Sequence, residues 1–440
     1  MSFFTPYEGS AVNLSKAGTA NCYIVPPVYS EYAFKATVKG NSNESVGAIS
    51  SAEVLWETRN TNNSIKVGDV IAEVSFDGAN VHFMLPPNPV PGNALIAVKD
   101  ALGTILWSWH IWVVDFDLVK NANVLIGGHM MMDRNLGALS VIPVDDMSGD
   151  YGAYGLFYQW GRKDPFMLPG RGVTAPADVI TALSQNLSSI ESTIPNPTVV
   201  YDDSYWGDDQ TLWGEFKTKY DPCPAGWRVA SETVLDGVPT GNMHNDRSSY
   251  RVIPEPYSVP ASYHPMAGHG DGTQYLESFN NYGHWWTSTW RKDYTMHYYD
   301  YIHFEWFDVD HRMSVRCMRD ADFYIKTGAA TNVKGTSFDI AGNVTVNDGT
   351  AMDSVGFIYS DYMYADLITL SHDGIVNVNL GTKTGDLKAT LTGLKPNTEY
   401  RVRAYAKGGY NVRYGEEIYI RTPHAGNGEG FDDGGDYEWE

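Results

Sequence analysis

Short runs of alternating apolar and polar residues, broken by Gly, Asn and Pro turns, fill the first 117 residues. NCYIV, YAFKATV, SAEVLWET, VIAEVSF, NVHFML, NALIAVKD and TILWSWHIWVV each fit a β-strand of ordinary length. Seven such runs, with NPVPGN and DALGT as turns, predict an Ig-like β-sandwich over 1–117. In ILWSWHIW both faces are partly apolar, so that strand is expected to be covered on two sides. Regular alternation returns in 322–424, in SFDIAGNVTV, SVGFIYS, DLKATLTGL, TEYRVRAYAK and GEEIYIRT, which predict a second sandwich. There Tyr400, Val402, Ala404 and Ala406 share one face, and Arg401, Arg403 and Tyr405 the other, which reads as one buried and one wet face.

The segment between, 118–321, has another texture. ADVITALSQNLSSIES and TLWGEFKTKY are the two stretches expected to be helical; Met130, Met131 and Met132 read as strand residues entering the core. Much of the rest is loop rich in Trp and Tyr, a composition that speaks for ordered, functional loops. The fold class is therefore mainly β and multidomain, with an α+β centre between two sandwiches.

One stretch of the centre stands apart. WRKDYTMHYYDYIHFEWFDVDH, residues 290–311, draws half of its 22 residues from Tyr, Asp and His. Stiff aromatic rings with directed polar tips make a recognition surface, whereas packed cores rarely hold so many ionisable groups. Read as one alternating strand, 295–305 turns Met296, Tyr298, Asp300, Ile302 and Phe304 inward. His297, Tyr299, Tyr301, His303 and Glu305 then face solvent, continued by Trp306, Asp308, Asp310 and His311 and flanked by Trp290, Asp293 and Tyr294. These twelve outward and flanking residues are the expected ligand contacts.

Charge narrows the partners. The 440 residues carry 53 acids against 31 Lys and Arg, a net −22, which disfavours nucleic acid and anionic lipid. The last fifteen residues hold six acids and no base, so 425–440 is expected to be an acidic, solvated tail. No run approaches the ~20 apolar residues of a membrane span. MSFFTPYEGSAVNLS has neither a basic n-region nor an apolar h-region, so no leader is visible at the start.

Chemistry is sparse. Cys22, Cys223 and Cys317 form no CxxC or Cys/His cluster, so no zinc site is expected; one disulfide and one leftover thiol is the simplest arrangement. Asp208 and Asp209 read as solvated loop acids rather than a calcium site. HPMAGHGDG, residues 264–272, matches no metal spacing. With no Gly-x-Ser-x-Gly, phosphate loop or dinucleotide fingerprint, no cofactor and no catalytic residue is assigned.

Five strings in order resemble the Fibrobacter succinogenes major paralogous domain, a bacterial surface domain with a C-type-lectin-like fold. They are MDRNLGA (132–138), YQWGRKDPF (158–166), DPCPAGWRVAS (221–231), WWTST (285–289) and SVRCMRD (314–320). The resemblance implies a C-type-lectin-like ligand-binding domain over 118–321 and a disulfide between Cys223 and Cys317. Relatives of that domain include proteins diversified by retroelements, whose variable stretch precedes a strand similar to SVRC; the Tyr, Asp and His of 290–311 are what adenine mutagenesis of Asn codons leaves. NCYIV and ILWSWHIW are similar to the N-terminal β-domain attached to such proteins in gut Bacteroidetes. LTGLKPNTEYRVRAYA and YGEEIYIRT resemble fibronectin type III modules.

Together these readings lead to an expected non-catalytic surface recognition protein, outside the cell on a bacterial outer surface. It would be an adhesin, at a pilus tip for instance, whose face binds a protein or carbohydrate receptor on another cell or host. Two alternatives stand beside it: a receptor-binding protein of a phage tail fibre on the virion, and a structural subunit that uses the same face for pilus or tail-fibre contacts.

Overall fold

The computed structural model describes residues 9–59, 67–125, 129–142, 152–167, 181–184, 189–202, 209, 211–214, 216–235, 238, 250–270, 276–277, 281–297, 302–320, 323–346, 351–362, 367–408 and 411–424. The chain divides into two compact units, Met1–Asp320 and Ala321–Glu440. The acidic tail, 425–440, lies outside the described residues.

All seven alternating runs near the start are strands. With the short strand Val12–Asn13 they form two four-stranded sheets, one joining Val12–Asn13, Glu31–Lys35, Asn80–Met84 and Glu73–Phe76, the other Cys22–Val25, Ile105–Val113, Gly92–Lys99 and Ser51–Thr58. Phe34 of the first sheet meets Trp109 of the second at 5.1 Å between ring centroids, so aromatic packing closes the sandwich. The outer face of the second sheet is covered too. Ser108 donates to Asp164 at 2.6 Å, the Asn93 amide donates to the Gly137 carbonyl, and the Asn21 amide to the carbonyls of Lys219 and Asp221. One apolar cluster accordingly runs without a break from Cys22 to Cys317. The boundary expected at 117/118 separates two sequence textures, not two cores.

The centre is built of a five-stranded and a seven-stranded sheet. The first orders Trp227–Val229, Cys317–Arg319, Met130–Met131, Asn123–Leu125 and Ser258–Val259. The second runs Leu276–Glu277, His269–Gly270, Arg312–Val315, Tyr282–Trp286, Lys292–His297 and Ile302–Trp306, with Phe157–Gln159 also paired to Arg312–Val315. Among the described residues of the two stretches expected to be helical there is no α-helix. Thr181–Ser184 is a strand, paired in parallel with Val199–Asp202, and Ile190–Thr193 is one turn of 3-10 helix. Backbone pairing with a strand further along the chain overrode the local preference. Among the described residues of TLWGEFKTKY the chain makes turns, held where Trp213 donates its indole N–H to the Tyr220 carbonyl at 3.0 Å.

The quoted motifs turn out to be internal fasteners. The buried Asn135 amide oxygen accepts from the Trp285 indole at 2.8 Å and from Arg316 at 3.0 and 3.1 Å, while its nitrogen donates to the Tyr154 carbonyl. MDRNLGA, WWTST and SVRCMRD thus meet at one side chain. The Trp286 indole donates to the Tyr158 carbonyl and Trp160 to the Thr287 carbonyl, which ties YQWG to WWTST. Lys163 and Asp164 form a fully buried pair at 2.5 Å against Ser108. Cys223 and Cys317 are joined by a disulfide, and Cys22 is a buried free thiol whose pKa is pushed up by that burial.

The second unit is a two-sheet sandwich. Phe323–Lys334, Ser337–Val346 and Gly385–Thr392 form one sheet; Val376–Asn379, Ser354–Ser360 and Glu399–Gly408 form the other, with Asn411–Tyr414 and Ile418–Arg421 also on Glu399–Gly408. The expected wet face of Glu399–Gly408 is a correction: Arg401, Arg403 and Tyr405 are all buried. Arg401 pairs with Glu417 at 2.6 Å, and Arg403 donates to the carbonyls of Gly415 and Ile368. Ile368, Tyr405, Tyr414 and Ile358 make a second, smaller core over that face.

Candidate functional site

Residues 290–311 form no single strand. They fold as two antiparallel strands, Lys292–His297 and Ile302–Trp306, in the register Lys292↔Trp306, Tyr294↔Phe304 and Met296↔Ile302. Directly paired residues share a face of the sheet. Lys292, Tyr294, Met296, Ile302, Phe304 and Trp306 therefore line one face, and Asp293, Thr295, His303 and Glu305 the other. Among the described residues the second strand is the edge of the seven-stranded sheet.

On the first face burial fades toward the end of the hairpin. Tyr294, stacked on Trp285, and Met296 are fully buried and Ile302 nearly so, whereas Phe304 is 38% and Trp306 62% exposed. The Lys292 ammonium sits 5.6 Å from the Phe304 ring centre and 5.7 Å from that of Trp306, while bonding Glu232 at 2.6 Å. A cation over two rings holds both in place without covering their outer sides. Phe304 was expected inside; it does share a face with Met296 and Ile302, but at the base of the hairpin that face opens to solvent.

The second face holds the histidines. His284 bonds Asp293 at 2.9 Å and Thr295 at 3.0 Å; His303 bonds Glu305 at 2.7 Å. His269 packs against His284, Phe307 and His311, at 4.7, 5.3 and 5.6 Å between ring centres. Burial works against a charged His311, but the Asp310 carboxylate at 3.2 Å and nearby Asp308 outweigh it and raise the ring's pKa. Arg291, at a left-handed φ of 57°, closes the base of the hairpin by bonding the Phe307 carbonyl and the Asp308 carboxylate.

The twelve expected contacts thus fall into groups. Trp306 and Asp308 are exposed; His303, Glu305, His311 and Trp290 are half-buried. Asp293 and Tyr294 are corrections, being fully buried: one anchors His284 and the other stacks under Trp285. Asp310 is also largely buried. His297 ends its strand but its side chain, like Tyr299 and Tyr301, lies outside the described residues. Phe304 and Lys292 were missed, because alternation tells which face a residue is on and not how far the core beneath that face extends.

Elsewhere, His264 is buried against Trp285 and Arg316, its pKa held well below the usual range by burial and by Arg316. Among the described residues no group of His, Cys, Asp and Glu is arranged to hold a metal ion, and no helix is long and apolar enough to cross a membrane. An open cavity of about 400 Å³ lies in the N-terminal sandwich beside Arg59, Asp69, Pro86, Pro87 and Val90, with nothing from the hairpin lining it.

No family model and no curated protein matches the chain. Among solved structures it is similar to the sensor domain of the anti-sigma factor RsgI4 in Pseudobacteroides cellulosolvens, at 19% identity over 24% of this chain and 97% of that one, TM-score 0.18. It is also similar to the sixth fibronectin type III domain of human fibronectin type III domain containing protein 3, at 17% identity over 24% and 90%, TM-score 0.18. A fibronectin type III domain from human KIAA0970 matches at 12% identity over 26% and 85%, TM-score 0.19. At these scores the likenesses carry no argument about ligand or role.

Proposed function

We propose that this protein is a non-catalytic recognition protein of the bacterial exterior, an adhesin that grips a protein or glycan receptor through the edge hairpin. The reading takes the centre as a C-type-lectin-like domain of the Fibrobacter paralogous kind and the flanking sandwiches as spacers. What supports it most is Trp306, an indole 62% exposed at a sheet edge beside exposed Phe304. Large aromatic side chains left in water at the rim of a rigid sheet gain most when a partner covers them, and such anchors dominate binding energetics. Disulfide bracing and buried fasteners beneath supply the rigidity.

The test is a screen of the full chain on glycan arrays and on panels of intact cells, repeated with F304A/W306A. Loss of the two rings is expected to weaken binding by about 2 kcal/mol or more, roughly thirtyfold. Stability is expected to change little, because exposed side chains away from special features contribute little to folding. Equal binding by the variant removes the proposed face.

A further inference from the structure

Strand edges are points where another chain can add, and folded proteins usually blunt them with bulges, charges or prolines. Two other edge strands here are blunted: Ser51–Thr58 shifts register between Val54 and Trp56, and Phe323–Lys334 shifts twice. Ile302–Trp306 has no such bulge, and its one acid, Glu305, would repel an acidic strand but not a basic one. Its five pairs with Lys292–His297 run without a shift, and the strand itself contains no Pro, Lys or Gly. Its backbone direction is also fixed. Glu305 N–H turns inward to the Asp293 carboxylate, and Phe307 N–H inward to the Arg291 carbonyl. Successive backbone groups alternate sides along a strand, so the N–H and C=O of Phe304 and Trp306 point off the edge.

Building on the recognition reading above, we infer that the Ile302–Trp306 edge accepts an extended, basic peptide segment of a protein partner, added as a further strand of the sheet. Main-chain hydrogen bonds would supply the docking, and the side chains to either side its specificity. One face offers the Phe304 and Trp306 rings, against which a Lys or Arg of the added strand stacks. The other offers Glu305, with its side chain 39% exposed, and at the hairpin's base Asp308, 60% exposed. The two bases beside them are already committed, Lys292 to Glu232 and Arg291 to Asp308. Asp293 and Asp310 are buried, but the acids there that reach solvent, Glu232, Glu305 and Asp308, still outnumber those two bases, so the complementary strand is positive.

The experiment selects linear dodecapeptides, displayed as a random library, on the full chain, then measures the selected peptides in solution. Expected are sequences that alternate Lys or Arg with β-branched residues. N-methylating alternate backbone amides of such a peptide, which keeps every side chain and charge, is expected to weaken binding at least tenfold. Hydrogen exchange at the Phe304 and Trp306 amides is expected to slow on binding. F304P, which removes an outward N–H, is expected to bind at least tenfold more weakly than F304A, with both variants unfolding at the wild-type midpoint. Strand addition is overturned if N-methylated peptides bind as well as their parents, or if no selected peptide needs the edge. It is equally overturned if the edge-dependent ligand proves to be a glycan or a second copy of this chain. F304A and W306A distinguish the two readings: if they weaken binding while N-methylation does not, strand addition fails and recognition by the rings stands. If neither ring matters, both fall.

Discussion

Asn135→Ala removes the side chain at which three of the sequence motifs meet. Its amide oxygen accepts three hydrogen bonds, from Trp285 and twice from Arg316, and its nitrogen satisfies the Tyr154 carbonyl. All of these groups are buried, so no water replaces the lost partner. Leaving a buried polar group unsatisfied costs about 1–3 kcal/mol, more beside a charge. Arg316 keeps the Tyr263 carbonyl and contacts to Ser262 and His264, so part of the loss is recovered. The expected net destabilisation is about 3–5 kcal/mol. Urea unfolding followed by tryptophan fluorescence reads it cleanly, because of the 13 tryptophans only Trp439 lies beyond residue 320. Asn343→Ala, which removes an exposed bond to Asp386 in the second unit, is the control and is expected to leave that transition in place. A loss below about 1 kcal/mol in Asn135→Ala would refute the idea that this network fastens the motifs.

Three further outcomes follow from the interior. Reducing the Cys223–Cys317 disulfide, which closes a loop of sequence separation 94, is expected to cost about 4–5 kcal/mol in the same urea assay. Lys163→Ala strands the buried Asp164 carboxylate and is expected to cost about 3–5 kcal/mol, and replacing both residues by apolar ones of similar volume far less. His110 and His129 are held by burial at pKa values of about 3 and about 4, so they stay neutral in the folded chain while the unfolded chain takes up protons near pH 6.5. Below that pH the unfolded state binds more protons, and stability is expected to fall from pH 6.5 to 5 by roughly 2 kcal/mol per histidine. His110→Asn flattening none of that slope would contradict the assignment.

How much of this was legible depended on how local the cause was. The seven early strands and the five later ones could be read because a half-buried strand writes its two faces into the sequence with period two. The covered strand Ile105–Val113 could be read for the same reason, since both its faces are apolar. Arg401 and Arg403 could not: their burial depends on Glu417 and on the carbonyls of Ile368 and Gly415, contacts made across the fold. The strand Thr181–Ser184 exists through its partner Val199–Asp202, which nothing in its own sequence announces. Within 290–311 the wealth of rings and ionisable groups marked the right segment. The pairing of Lys292–His297 with Ile302–Trp306 keeps odd and even residues on opposite faces, so alternation gave the faces but not their depth: Asp293 and Tyr294 are buried, and Phe304 stands partly in water.

Oxidative footprinting of the full chain, free and bound to cells it adheres to, bears most directly on the central claim that the edge hairpin is the contact surface. Trp306 is expected to be the fastest-labelled of the described tryptophans in the free protein, and to lose that reactivity, together with Phe304, when bound. A Trp306 that labels slowly when free, or equally fast in both states, would contradict it.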